Sequence, residues 1–250
     1  QQALPITRST KRPDIEAYAL EGIGHAYAAL GDDAQALASY ELALPLARSQ
    51  KRRDLETRLL VGQGNVLYRN ARQADAIALV NQGLALCRER GNRFEEVPIL
   101  TTLSRMHNEK GDPATGLKLA QQALEISQQL EDRIGEASTR LHIGQSQVLL
   151  NEETKATENF QTALTLSQTV HAVQLEAEAL YELARMDQKR GKLTAARTQS
   201  ETVLTILESM RSSVANQELR AMFFARLQQY YDFHIALLQQ LQQENPNGEY

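Results

Sequence analysis

The chain has 250 residues, 42% of them apolar and 23% charged, with no Trp, six Pro, thirteen Gly and a net charge of -4. Its Lys and Arg residues are scattered instead of gathered in runs, which leaves no electrostatic footprint for a phosphate backbone and excludes nucleic acid as an expected partner. No stretch approaches the ~20 apolar residues of a membrane span, the first residues show no secretory pattern, and a single cysteine, Cys87, allows no internal disulfide, so a cytoplasmic setting is expected.

The chain opens in mid-pattern. Gln1-Gln2-Ala3-Leu4 returns as Gln121-Gln122-Ala123-Leu124, and Ala3-Leu4-Pro5-Ile6 parallels Ala43-Leu44-Pro45-Leu46 in the same register. Residues 1–12 therefore read as the tail of a preceding helix, and the chain as a piece of a longer array. Pro5 and Pro45 are each expected to kink their helix by removing a ladder hydrogen bond.

Over residues 13–211 one pattern recurs five times at a step of 40: Glu16, Glu56, Glu96, Glu136 and Glu176, with Leu44, Leu84, Leu124, Leu164 and Leu204. A fixed period of this kind marks stacked units that bury their apolar faces only against one another. Within the first unit, Leu20, Ile23, Gly24 and Tyr27 share one face of a first helix (A), and Ala36, Leu37, Tyr40, Ala43, Leu44 and Ala47 one face of a second (B). Small residues recur at Gly24, Gly64, Ser104, Gly144 and Ala184 and at Ala36, Ala76, Gly116, Ala156 and Ala196. Tyr40, Val80, Ala120, Phe160 and Ser200 form a third column. Gly31-Asp32, Gly111-Asp112-Pro113 and Gly191 end one helix and open the next. Each Glu of the ladder falls in the first turn of its helix A, where a negative charge meets the helix dipole at ~0.3–1 kcal/mol, so the ladder reads as scaffold.

After Ser209-Met-Arg-Ser-Ser213 the period stops, and residues 212–250 are assigned to a cap. The spacing predicts one helix from about Asn216 to Gln243, with Leu219, Phe223, Leu227, Tyr230, Ile235, Leu238 and Leu241 forming an apolar stripe. Aromatics exceed what one stripe needs, so Phe224, Tyr231 and Phe233 are expected either to meet the fifth repeat or to form a docking face.

The run Gly24-His-Ala-Tyr27-Ala-Ala-Leu-Gly31-Asp, followed by Ala36-Leu37 and Tyr40-Glu-Leu-Ala43-Leu44, resembles the tetratricopeptide repeat in the longer form found in kinesin-light-chain-like and G-protein-regulator-like arrays. The resemblance implies an all-α, right-handed α-solenoid of antiparallel helix pairs, about five repeats, closed by a long C-terminal helix. It also implies a concave face lined by helices A. The family's groove positions fall on Tyr18, Glu21 and His25, on Arg58, Val61, Asn65 and Arg69, on Arg105 and Asn108, and on Gln145, Arg185, Gln188 and Lys189. Arg outnumbers acid there, so Arg58, Arg69, Arg105 and Arg185 are candidates to receive carboxylates of a protein or peptide partner. The carboxylate-clamp pattern of chaperone adaptors is not met, because Glu21, Gly62, Pro98 and Thr102 stand where Lys and Asn are wanted. The segment from Met210 to Phe224, continuing through Tyr230-Tyr-Asp-Phe-His, is similar to the stretch that follows the repeats in bacterial CHAT-family proteins, where the array precedes a caspase-like peptidase domain.

Chemistry of the chain's own is not expected. His25, His107, His142, His171 and His234 never pair at metal-binding spacing, and Cys87 aligns with Ala47 and Ser127 in a small, buried column that suits an inert thiol. No metal, no cofactor and no catalytic residue is assigned. The expected function is a non-catalytic interaction or regulatory module, part of a larger protein such as one carrying a CHAT peptidase. The alternative is a regulator that senses a small ligand or signal peptide.

Overall fold

The structure, a computed structural model, describes residues 12–212 and 217–244, with side chains described at 12–210 and 227–244. The readings of Pro5 and of the segment before residue 12 lie outside these residues. Among the described residues the chain is helical throughout: α1 Pro13–Leu30, α2 Asp33–Ser49, α3 Arg53–Arg69, α4 Gln73–Glu89, α5 Arg93–Glu109, α6 Pro113–Gln129, α7 Arg133–Leu149, α8 Glu153–Thr169, α9 Val173–Lys189, α10 Leu193–Ser212 and α11 Gln217–Glu244. Consecutive helices form antiparallel pairs, the α-solenoid class. α2 runs on through Pro45 as one helix.

Ten helices start at a step of 20, from Pro13 to Leu193, because every turn between them is built alike. In all nine turns the last residue donates its backbone N–H to the carbonyl five residues back at 2.8–3.3 Å, the Schellman closure. That closure holds the preceding residue in the left-handed region. Glycine fills it at Gly31, Gly91, Gly111 and Gly191, while Lys51, Ala71, Glu131, Asn151 and His171 adopt φ of 53–60° without that freedom. The closing residue then caps the next helix, as Asp32, Asn92 and Asp132 do by accepting the N–H three residues on. An L-residue in the left-handed region costs roughly 1–2 kcal/mol, against ~0.5–1 kcal/mol of extra backbone entropy for glycine. Ala71→Gly is therefore expected to raise the urea midpoint by the equivalent of about 0.5–1 kcal/mol, and Ala71→Val to lower it.

The chain divides into two compact units, up to Ile126 and from Ser127 onward. In the first, Tyr40 of α2 is fully buried between Gly24 of α1 and Gly62 of α3; a Cβ at either glycine would lie 2.4 or 2.9 Å from its ring. Ala17, Leu20, Ala36, Ala43, Leu55, Leu59 and Val66 complete this core. In the second unit, buried Phe160 of α8 meets Gly144 of α7, where a Cβ would lie 2.4 Å from the ring. There α11 lies on α9 and α10 through Leu227, Tyr230, Leu237 and Leu241. Of the stripe read from sequence, Ile235 is exposed and Leu238 only half-buried, because Leu237 takes the inward position between Tyr230 and Leu241, while Leu219 and Phe223 lie outside the described side chains. The exposed residues of α11 are mostly polar, Gln228, Gln229, Gln239, Gln242 and Gln243 among them, with Ile235 and Ala236 exposed beside them.

Candidate partner-binding face

Because helices α1, α3 and α5 lie side by side in the first unit, residues 36–40 apart meet across them. Glu21 of α1 is buried and receives both arms of Arg58 from α3, Nε at 2.5 Å and Nη2 at 3.2 Å. Burial pushes this carboxyl up, but hydrogen bonds from His25 and Arg58 outweigh it and hold the group below its ordinary value. His25 reaches back to the core, its Nδ1 lying 3.0 Å from the Tyr40 hydroxyl. Tyr18 donates to Asp54 at 2.9 Å and lies under the guanidinium groups of Arg52 and Arg58, 4.9 and 5.7 Å from its ring centre. The Arg52 fork, with help from Tyr18, holds the Asp54 carboxyl far below its ordinary value.

Further along, Arg105 donates to Asn65 at 3.0 Å and to Glu109 at 2.9 Å, with Tyr68 beneath it. Arg69 pairs with Asp33, and Asn108 is buried. In the second unit Glu182 accepts from Gln145 and from Arg185, each at 3.0 Å, while Gln188 meets Gln240 at 3.3 Å and Lys189 meets Glu153 at 2.5 Å. The four arginines read from sequence as receivers of a partner's carboxylate each hold a carboxylate of this chain. His25, Asn65, Arg105, Gln145 and Arg185 share one register of the 40-residue step, so one column of the face changes its chemistry at every repeat.

The glutamate ladder has a further function beyond its place on the helix dipole. Glu56 and Glu96 are buried and accept from Arg48 and Arg88 of the preceding helix at 2.8 and 2.7 Å; Gln128 and Gln168 do the same for Glu136 and Glu176 at 3.2 and 3.0 Å. These partners sit eight residues before each Glu and recur at the same step, a signal present in the sequence beside the ladder. Of the three proposed docking rings, Tyr231 is half-buried and donates to Glu208 at 2.5 Å, and Phe233 is half-buried edge-on to Tyr181 with centres 5.3 Å apart. Both turn to repeat five. Phe224 lies outside the described side chains.

Cys87 is fully buried and donates to the Asn92 carbonyl at 3.1 Å. Burial, then Glu95 and Glu96, push its thiol up to about 11, the opposite of an activated nucleophile. Among the described residues no cluster of His, Cys, Asp and Glu could hold a metal ion, and no helix is long and apolar enough to cross a membrane.

Family models of the tetratricopeptide repeat match residues 17–50 and 96–169. These segments are tetratricopeptide repeats. Solved structures superpose on the chain: apo RapI (TM-score 0.65, 16% identity, 94% of this chain and 66% of RapI), BtubC from P. vanneervenii (0.68, 18%, 86% and 91%) and NprR in complex with its cognate peptide NprX (0.68, 16%, 100% and 68%). At these identities the likeness concerns the fold. The chain spans 66% of the length of RapI. No curated protein matches the sequence.

Proposed function

We propose that this tetratricopeptide array is a non-catalytic interaction module whose helix-A faces bind an extended segment of a protein or peptide. The observation that carries this reading is the contrast between columns. Packing columns keep to apolar or small residues and vary by exchanging size between paired positions, whereas the register of His25, Asn65 and Arg105 in the first unit, and of Gln145 and Arg185 in the second, changes its polar chemistry at each step. Exchange of size serves packing; a change of hydrogen-bonding and charge character on a partly exposed column serves recognition of a particular sequence. The internal ion pairs hold these side chains in place and restrict the acceptors a partner must offer, so amide and hydroxyl groups fit the face better than a row of acids.

Peptide sensing is favoured within this reading by the NprR fold, which carries its cognate peptide NprX. The similarity of the stretch after Met210 to CHAT proteins extends the proposal to control of a peptidase encoded beyond Tyr250 in a cytoplasmic bacterial parent; the sequence of the full-length gene tests that extension. For binding itself, a melting screen against a library of short peptides is the direct measurement. A true ligand at 100 times its Kd stabilises by ~2.7 kcal/mol. The shift should vanish in Asn65→Ala/Arg105→Gln, and an unchanged shift in that variant rules out the helix-A face.

A further inference from the structure

Another surface lies on the turn edge of the first unit. At the α2–α3 turn Arg48 and Arg53 both grip buried Glu56, at 2.8 and 3.0 Å, and both side chains remain half exposed. One 40-residue step on, at the α4–α5 turn, Arg88 and Arg93 grip Glu96 in the same way at 2.7 and 3.4 Å. Gln128 and Gln168 occupy the Arg48 position before Glu136 and Glu176; Glu136 takes its cation from Arg140 of its own helix at 3.0 Å instead, and Glu176 is only half-buried. In the first unit the arginines place that cation on the turn itself, where the second unit has an amide. Residues 48–56 set four cations, Arg48, Lys51, Arg52 and Arg53, against Asp54 and Glu56, whereas 128–136 set one arginine against Glu131, Asp132 and Glu136. Lys51 stands at the exposed tip of the turn.

The neighbouring turn adds an aromatic. Phe94 occupies the register of Asp54 in the next pair and is 59% exposed, the most exposed of the chain's described large apolar residues. The Arg105–Asn65 bond shows that α3 and α5 are neighbours, so Phe94 flanks the basic turn along one edge. Arg and aromatic side chains together are what interfaces enrich, and isolated exposure of a Phe has no packing return.

We propose that this edge, the basic turn of Arg48, Lys51 and Arg53 with Phe94 beside it, docks an acidic protein segment that carries an apolar side chain. A protein fits better than nucleic acid, because the basic turn is short, the chain as a whole is net negative, and the 88–96 turn balances three arginines with Glu89, Glu95 and Glu96.

The test is fluorescence anisotropy with a labelled decapeptide of nine Glu around one central Leu, beside an all-Glu control. Wild type is expected to bind the Leu peptide more tightly, with affinity falling as salt rises. Arg48→Gln/Lys51→Gln/Arg53→Gln should weaken binding about tenfold, and Phe94→Ser should erase the preference for Leu. If the triple variant melts below wild type, Lys51→Gln/Phe94→Ser, which disturbs no buried carboxylate, supplies the reading and should weaken binding. Unchanged affinity in these variants, an equal loss in Arg105→Gln on the helix-A face, no binding by wild type, or tighter binding of a single-stranded oligonucleotide overturns the proposal.

Discussion

Phe160→Ala is expected to lower the free energy of unfolding by about 3–5 kcal/mol, the usual cost of removing a large aromatic from a closed core. Its ring is fully buried against Gly144, and nothing smaller reaches that backbone. The converse change tests the same contact from the other side. Gly144→Val would drive a side chain into a ring only 2.4 Å from its Cβ, an overpacking cost of about 1–3 kcal/mol or more. Made together, the two substitutions should cost less than their sum, because the valine fills space that the lost ring vacates. Urea unfolding of both single variants and the double variant measures the coupling. Additive losses would mean that the two residues do not share the contact described.

That pairing shows where sequence reading stops. The small column and the bulky column were both legible at a step of 40, but their pairwise compensation was not: Gly24 goes with Tyr40, Gly64 with Val80 and Gly144 with Phe160, whereas Ser104 goes with Ala120 and Ala184 with Ser200. Taken singly, the bulky column fades toward the C-terminus. Taken in pairs, size on one helix is exchanged against size on the other. Turn geometry was legible in the same partial way. Gly31, Gly111 and Gly191 announced three of the nine left-handed positions; Gly91 is a fourth, and Lys51, Ala71, Glu131, Asn151 and His171 adopt the same φ because the Schellman bonds around them impose it.

The face was legible as a set of positions and not as chemistry. Register alone put His25, Asn65, Arg105, Gln145 and Arg185 in one column. The partners that decide their charge lie 36–40 residues away or on the next turn, as Arg58 with Glu21, Arg69 with Asp33 and Gln145 with Glu182 do. Both members of most of these pairs were in view in the sequence; what was missing was the stagger between neighbouring helices that brings them together. For the C-terminal rings the same gap mattered, since Phe233 meets Tyr181 from 52 residues away.

Arg58→Glu follows from that stagger, and its main effect is expected on folding. The buried Glu21 carboxylate would lose its bidentate cation and face another carboxylate instead. Breaking a buried pair costs about 3–5 kcal/mol; the Arg58 side chain is 39% exposed, which solvent screening discounts to about 1–3 kcal/mol. The pH dependence carries the sign. With its pKa held below the ordinary 4.5, Glu21 contributes stability above that value and loses the contribution as pH falls through the lowered pKa. In Arg58→Met made on a His25→Gln background both lowering hydrogen bonds are gone, and burial pushes the carboxyl up, so that variant is relieved as the carboxyl takes up its proton. The stability gap between His25→Gln and this double variant should therefore narrow steadily on acidification from neutral pH to about 4. A His25→Gln background keeps the imidazolium, whose Nε2 lies 3.7 Å from Glu21, from replacing the lost cation. A gap that stays constant with pH would show that Glu21 does not depend on Arg58. Because this arginine holds the first unit together, charge reversal here would confound loss of binding with loss of fold, whereas Arg105, paired with exposed Glu109 and half-buried Asn65, leaves no buried carboxylate behind when it is replaced.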